Sequence, residues 1–144
     1  MILALVATAC TGLFAGAALY VSAVEHPARM SCGPEVAVRE FAPSYRRGTI
    51  MQVSLAVLGG LAGLVAFWKQ KDSWLLVASL LLASLIPFTL LYIFPTNNQL
   101  LDPALQPGSS HAVTLLTRWG RLHAVRTVLS LLAFLVFLWR VTNG

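Results

Sequence analysis

The chain has 144 residues, 58% of them hydrophobic and 10% charged, with a mean hydropathy of +0.77, against about a quarter charged in an ordinary soluble domain. That composition excludes a disordered chain and argues against a water-soluble globule. Ten Lys and Arg against five Asp and Glu give a formal charge of +5, but the basic residues sit at the ends of apolar runs, where the positive-inside bias and anionic headgroups account for them, so no nucleic-acid partner is expected.

The first apolar run is unbroken from Ile2 to Val24. It is too long for a signal-peptide core and no basic residues precede it, so it reads as a span over about residues 2–25. A polar segment follows, Glu25 to Gly48, with Arg29, Arg39, Arg46 and Arg47; it is expected at the membrane surface, with Pro34 to Phe41 as a short helix. The second span, about 49–68, is closed by Lys69, Gln70, Lys71 and Asp72. A tight connection leads to the third, about 74–94, which should stop at Pro95. Pro87 inside that span frees the carbonyl of Ala83 and predicts a kink. A loop with Pro103, Pro107, Gly108, Ser109 and Ser110 favours turns, and His111 beside it should face solvent. The fourth span covers about 119–140.

The expected fold is all-α: an integral-membrane four-helix bundle running up-down-up-down, a single domain over 1–144, with a polar surface segment after the first helix and a loop between the third and fourth. Both termini then lie on one side. Arg29, Arg39, Arg46, Arg47, Arg118 and Arg121 gather on the other, against Lys69, Lys71 and Arg140, so the face bearing the arginines is expected to be cytoplasmic and the termini opposite. Cys10 and Cys32 are too few and too far apart for a disulfide framework or a CxxC site. Gly12/Gly16 and Gly59/Gly63 are small-xxx-small pairs suited to close helix packing, and a homo-oligomer through either pair stays open.

In such a bundle the polar inventory concentrates at one face. Glu25, His26 and Arg29 end the first span, Tyr45, Arg46, Arg47 and Gln52 open the second, Thr96, Asn97 and Asn98 follow the third, and Trp119, Arg121, His123 and Arg126 open the fourth. Ionisable groups inside a span cost several kcal/mol unless paired or lining a wet cavity. Trp119, His123 and Arg126 follow the spacing of one helical face, with Ser130 a turn deeper, whereas Arg118 and Arg121 are off that stripe and suited to snorkelling. His26 precedes Pro27, which disfavours helical geometry at His26 and should end the first span there. An imidazole at His26 or His123 can serve as general base or metal ligand. No HxxxH pattern supports a metal site, while a haem held between His26 and His123 stays open. No GxSxG, Walker loop, GxGxxG or CxxC occurs.

The order of Gly12-Leu13-Phe14-Ala15-Gly16 with Tyr20, Glu25-His26-Pro27-Ala28-Arg29, Tyr45-Arg46-Arg47-Gly48, Met51-Gln52, Pro95-Thr96-Asn97 and Trp119-Gly120-Arg121-Leu122-His123-Ala124-Val125-Arg126 resembles the small four-span membrane family that contains the fungal anthrone oxygenases and many bacterial members. The resemblance covers essentially the whole chain. It implies an oxygenase that converts an anthrone to an anthraquinone with O2 as co-substrate and without a classical cofactor. By residue match His26, Asn97, His123 and Arg126 become catalytic candidates, and Trp119, Tyr20, Arg46 and Gln52 substrate contacts. The ligand would be a hydrophobic small molecule, with lipid as the other partner. Two other classes compete: a haem- or quinone-binding membrane subunit using the same histidines, and a small transporter or structural bundle.

Overall fold

The computed structural model describes residues 1–144 and contains helices without strands. Four rods, α1 (Ile2–Ser31), α2 (Pro34–Gln70), α3 (Ser73–Leu100) and α4 (Ser110–Asn143), are each long and apolar enough to cross a membrane. The chain is therefore a multi-pass four-helix bundle. α1 packs on α2 and α4, and α3 packs on the same two, so the helices follow chain order around a ring that α4 closes.

At a rise of about 1.5 Å per residue α2 is roughly 55 Å long, well beyond a ~30 Å hydrocarbon core. The polar segment is divided between the end of α1 and the first part of α2. Pro34–Phe41 is not a separate short helix, because Ala37 and Phe41, one turn apart, are fully buried against Ile93, Leu116 and Trp119. That narrow stripe is hidden in the sequence by the arginines around it. α4 likewise starts at Ser110, ahead of the expected boundary: the Ser109 hydroxyl accepts from the Ala112 N–H at 3.1 Å, and Ala112, Leu115 and Leu116 are buried.

Two expected helix ends are absent. α1 continues through His26, which has φ −65° and ψ −45°, and α3 continues past Pro95 to Leu100. In both cases the turn before the proline segment is π-helical, Val21–Glu25 in α1 and Thr89–Ile93 in α3. The wider turn leaves Pro27 and Pro95 in the first turn of a new α-segment, where a missing N–H costs little. α1 and α3 thus each carry a π-bulge at the same end of the bundle.

At the other end the core is built from small residues, Ala4, Ala7, Ala62, Ala66 and Ala78, around Leu75 and Phe137. A Cβ on Gly63 would stand 2.7 Å from Phe137 Cζ, and one on Gly59 would stand 3.2 Å from both Cys10 Cβ and Thr11 Oγ1. Gly59 and Gly63 are therefore used in packing within one chain, as is Gly12 against Phe134. Gly63→Ala is expected to destabilise the bundle by about 1–3 kcal/mol through overpacking. Gly60→Ala, whose Cβ meets nothing within 4 Å, should not. Equal unfolding midpoints of the two variants in detergent would sink this account of the packing.

The α2–α3 connection is Lys71 and Asp72, with Lys71 left-handed at φ 54°. Asp72 accepts from the Trp74 N–H at 2.9 Å and pairs with Arg140. Burial opposes ionisation of Asp72, but the Arg140 guanidinium and the backbone N–H of Trp74 outweigh it and hold the carboxyl below its usual range. The outward faces carry Leu13, Leu58, Leu61, Leu90 and Leu91. In water they would form an aggregating patch; in a bilayer they meet acyl chains.

Candidate active site

Where the two π-bulges lie, the rods enclose a cavity of about 680 Å3, open on one side. Its walls include Phe41, Ile93 and Trp119; its polar groups come from all four helices, among them Gln52, Asn97, His123 and Arg126. Gln52, Asn97 and the His123/Arg126 pair lie on three different helices, whose relative rotation hydropathy does not determine.

The hydrogen bonds fix which atoms remain free. The Trp119 indole N–H donates to Asn97 Oδ1 at 2.8 Å. An indole only donates, so the Asn97 amide must turn its oxygen there, leaving its NH2 for the cavity it lines. Arg126 donates to Gln52 Oε1, which by the same logic leaves the Gln52 NH2 free. The Arg126 guanidinium also sits 5.1 Å from the Phe14 ring centroid, and its Nε has no partner. His123 is 3% exposed; its Nδ1 lies 2.9 Å from Ser22 Oγ, and its Nε2 has no protein partner. The cavity therefore combines one imidazole with three donor groups.

At the mouth stands a second cluster. Arg29, 5% exposed, pairs with Glu25 and lies 2.7 Å from Glu40 Oε2; Ser44 donates to Glu25. The same guanidinium is 5.6 Å from the Trp119 ring and 5.8 Å from the Phe41 ring. Arg29 thus braces the aromatic wall, and its charge is matched by two carboxylates.

The structure gathers Tyr20, Gln52, Asn97, Trp119, His123 and Arg126 around one space. Arg46 is not among them: it is exposed on α2, and its neighbour Arg47 lines the mouth instead. Adjacent helical residues differ by about 100° in direction, so one position decides the matter. His26 is also displaced from its expected role. Its ring lies 5.2 Å from the Trp119 ring, tilted by 50°, while His123 stacks on Trp119 at 4.7 Å. Of the two imidazoles only His123 lines the cavity. No group of three or more His, Cys, Asp and Glu is placed to hold a metal ion. His26 instead fills the space above Gly120, where a Cβ would come within 2.5 Å of its Nε2. As expected, Arg118, Arg121 and His111 are exposed, and Ser130 is buried on the His123 stripe.

Sequence reasoning missed Ser22, Ser44, Glu40 and Thr127. Thr127 had a signal, lying four residues after His123. Ser22 had none, because its position depends on the widened turn of α1.

A family model described as anthrone oxygenase matches residues 41–136. The chain is 27% identical over 149 aligned positions to an anthrone oxygenase of Claviceps purpurea (strain 20.1), covering 93% of this chain and 86% of that protein. It is 28% identical over 133 positions to the anthrone oxygenase dmxR16 of Cryptosporiopsis sp. (strain 8999), covering 85% and 75%. No solved structure matches the chain. The matched region contains Gln52, Asn97, Trp119, His123 and Arg126; Tyr20 and His26 lie before it.

Proposed function

The chain belongs to the anthrone oxygenase family, and from that premise we propose that it is a membrane oxygenase acting with O2 on a flat phenolic substrate of the anthrone type, bound in the cavity within the bundle. The carrying observation is that His123, whose Nε2 has no protein partner, lines one cavity with Asn97, Gln52 and Arg126 among aromatic walls. The volume of about 680 Å3 falls in the range of small-molecule pockets.

In this reading neutral His123 takes a proton from the acidic methylene or a phenol. The negative charge that develops on the substrate oxygen is met by Arg126 and the Asn97 amide, which act more strongly in a site shielded from water. Trp119 stacks against the rings. The electron-rich carbanion then adds O2 to give a hydroperoxide, which loses water to leave the carbonyl. The methylene loses two hydrogens and gains one oxygen, the second oxygen leaves as water, and all four electrons come from the substrate, so no outside reductant enters the balance.

The test is turnover of 1,8-dihydroxyanthrone by the detergent-purified protein under 18O2. The expected product is the anthraquinone carrying one 18O, formed well above the autoxidation rate of a protein-free control. A rate equal to that control would overturn the reading.

We further propose that the cavity mouth faces the cytoplasm. Arg39, Arg46, Arg47, Arg118 and Arg121 are exposed at that end, against Lys69 and Lys71 at the other, where Arg140 is paired with Asp72. Cys32 is exposed at the α1–α2 turn on the same end. A membrane-impermeant maleimide should label it in inverted vesicles and spare it in intact cells; the reverse pattern would flip the orientation.

A further inference from the structure

Behind His123, on the side away from the cavity, runs a chain of hydroxyls that the proposed reaction does not use. Ser22 Oγ lies 2.9 Å from His123 Nδ1 and 2.8 Å from Thr127 Oγ1, while Thr127 Oγ1 lies 3.1 Å from the Ala18 carbonyl and 3.0 Å from the His123 carbonyl. Each hydroxyl has a single hydrogen, and a carbonyl can only accept. Thr127, 4% exposed, must therefore give its hydrogen to those carbonyls or leave its oxygen buried against them unsatisfied. With that hydrogen spent, the Ser22–Thr127 contact needs the hydrogen of Ser22. Ser22 is then left with lone pairs alone, and its contact with His123 needs a hydrogen on Nδ1. The opposite order, Thr127 to Ser22 to a bare Nδ1, strands the Thr127 oxygen beside two carbonyls.

We infer that Ser22 and Thr127 are positioning residues that lock neutral His123 as the Nδ1–H tautomer, with the base lone pair of Nε2 held toward the cavity. The direction of the relay is set by two main-chain carbonyls, one from α1 and one from α4, so it is built into the helix pairing. The π-bulge of Val21–Glu25 contains Ser22, and such bulges are frequent at functional sites. The inference bears on catalysis through the reading of His123 as base given above, but the tautomer itself is a property of the resting protein.

The test is 15N NMR of the full chain, labelled at histidine, in detergent micelles at a pH where the ring is neutral. With His26, His111 and His123 the only histidines, single His→Gln variants assign the signals. The wild type should show His123 with a protonated Nδ1 and a bare Nε2. In Ser22→Ala and Thr127→Val, both close in volume to the native side chains, the other tautomer should become populated and turnover of 1,8-dihydroxyanthrone should fall about tenfold. Thr127→Ser, which keeps the hydroxyl, should restore both. A wild-type His123 protonated at Nε2, or a tautomer ratio unmoved by Ser22→Ala, overturns the inference. A wild-type Nδ1–H tautomer that shifts as expected, in a protein whose turnover is indifferent to His123→Gln, upholds the relay and discards His123 as the base.

Discussion

His123→Gln is expected to lower anthrone turnover by about 10²- to 10⁴-fold, the usual worth of a positioned general base. The substitution keeps a polar side chain of similar size on the buried stripe of α4, so the Trp119 stack and the contact with Ser22 are disturbed less than by truncation. An amide nitrogen has no basic lone pair, however, and cannot take the substrate proton. The loss should appear in kcat, with KM moving severalfold at most, because walls such as Phe41 and Ile93 still hold the rings. Turnover within about threefold of wild type, in a variant with an unchanged unfolding midpoint, would remove His123 from the chemistry.

Arg126→Gln should cost about 10²-fold, again mainly in kcat. The guanidinium donates to Gln52 and lies over Phe14, with Nε unpartnered. Those contacts tether it with donor capacity to spare. A fixed cation facing the cavity is worth most when charge grows on the substrate oxygen, which is why the transition state should suffer more than binding. Arg126→Lys, a point charge without the planar fork, should fall between the two. If Arg126→Gln raised KM alone, the residue would be a binding contact and the donor set would reduce to the Asn97 and Gln52 amides.

Much of the architecture was legible in the chain because hydrophobic length and charge placement are local quantities. Four apolar runs of span length, a connection of a few residues between the second and third and a proline-rich loop before the fourth all translate directly into an up-down bundle. The stripe of Trp119, His123 and Arg126 followed from helical periodicity and the intramembrane cost of ionisable groups.

The expectations that failed did so for tertiary reasons. Pro27 and Pro95 suggested helix ends by local sterics, but the π-bulges before them relieve the clash, and the packing of the continued rods on α2 and α4 favours continuation. The arginines of Pro34–Gly48 masked the buried Ala37 and Phe41 stripe. His26 and His123 each looked ready to enter a cavity, yet only His123 lines it, and Arg46 lost its place to Arg47 by one step of helix rotation.

The sequence by itself determined the bundle, its membrane setting and the end at which its polar groups gather, since each rests on composition or spacing along one helix. Only the tertiary structure decided which atoms are spent and which are free: that Asn97 turns its NH2 away from Trp119, that Gln52 holds Arg126, and that Ser22 lies beneath His123. Those facts depend on the relative rotation of different helices and on two widened turns, and helix rotation is fixed by side-chain packing that no single helix encodes alone.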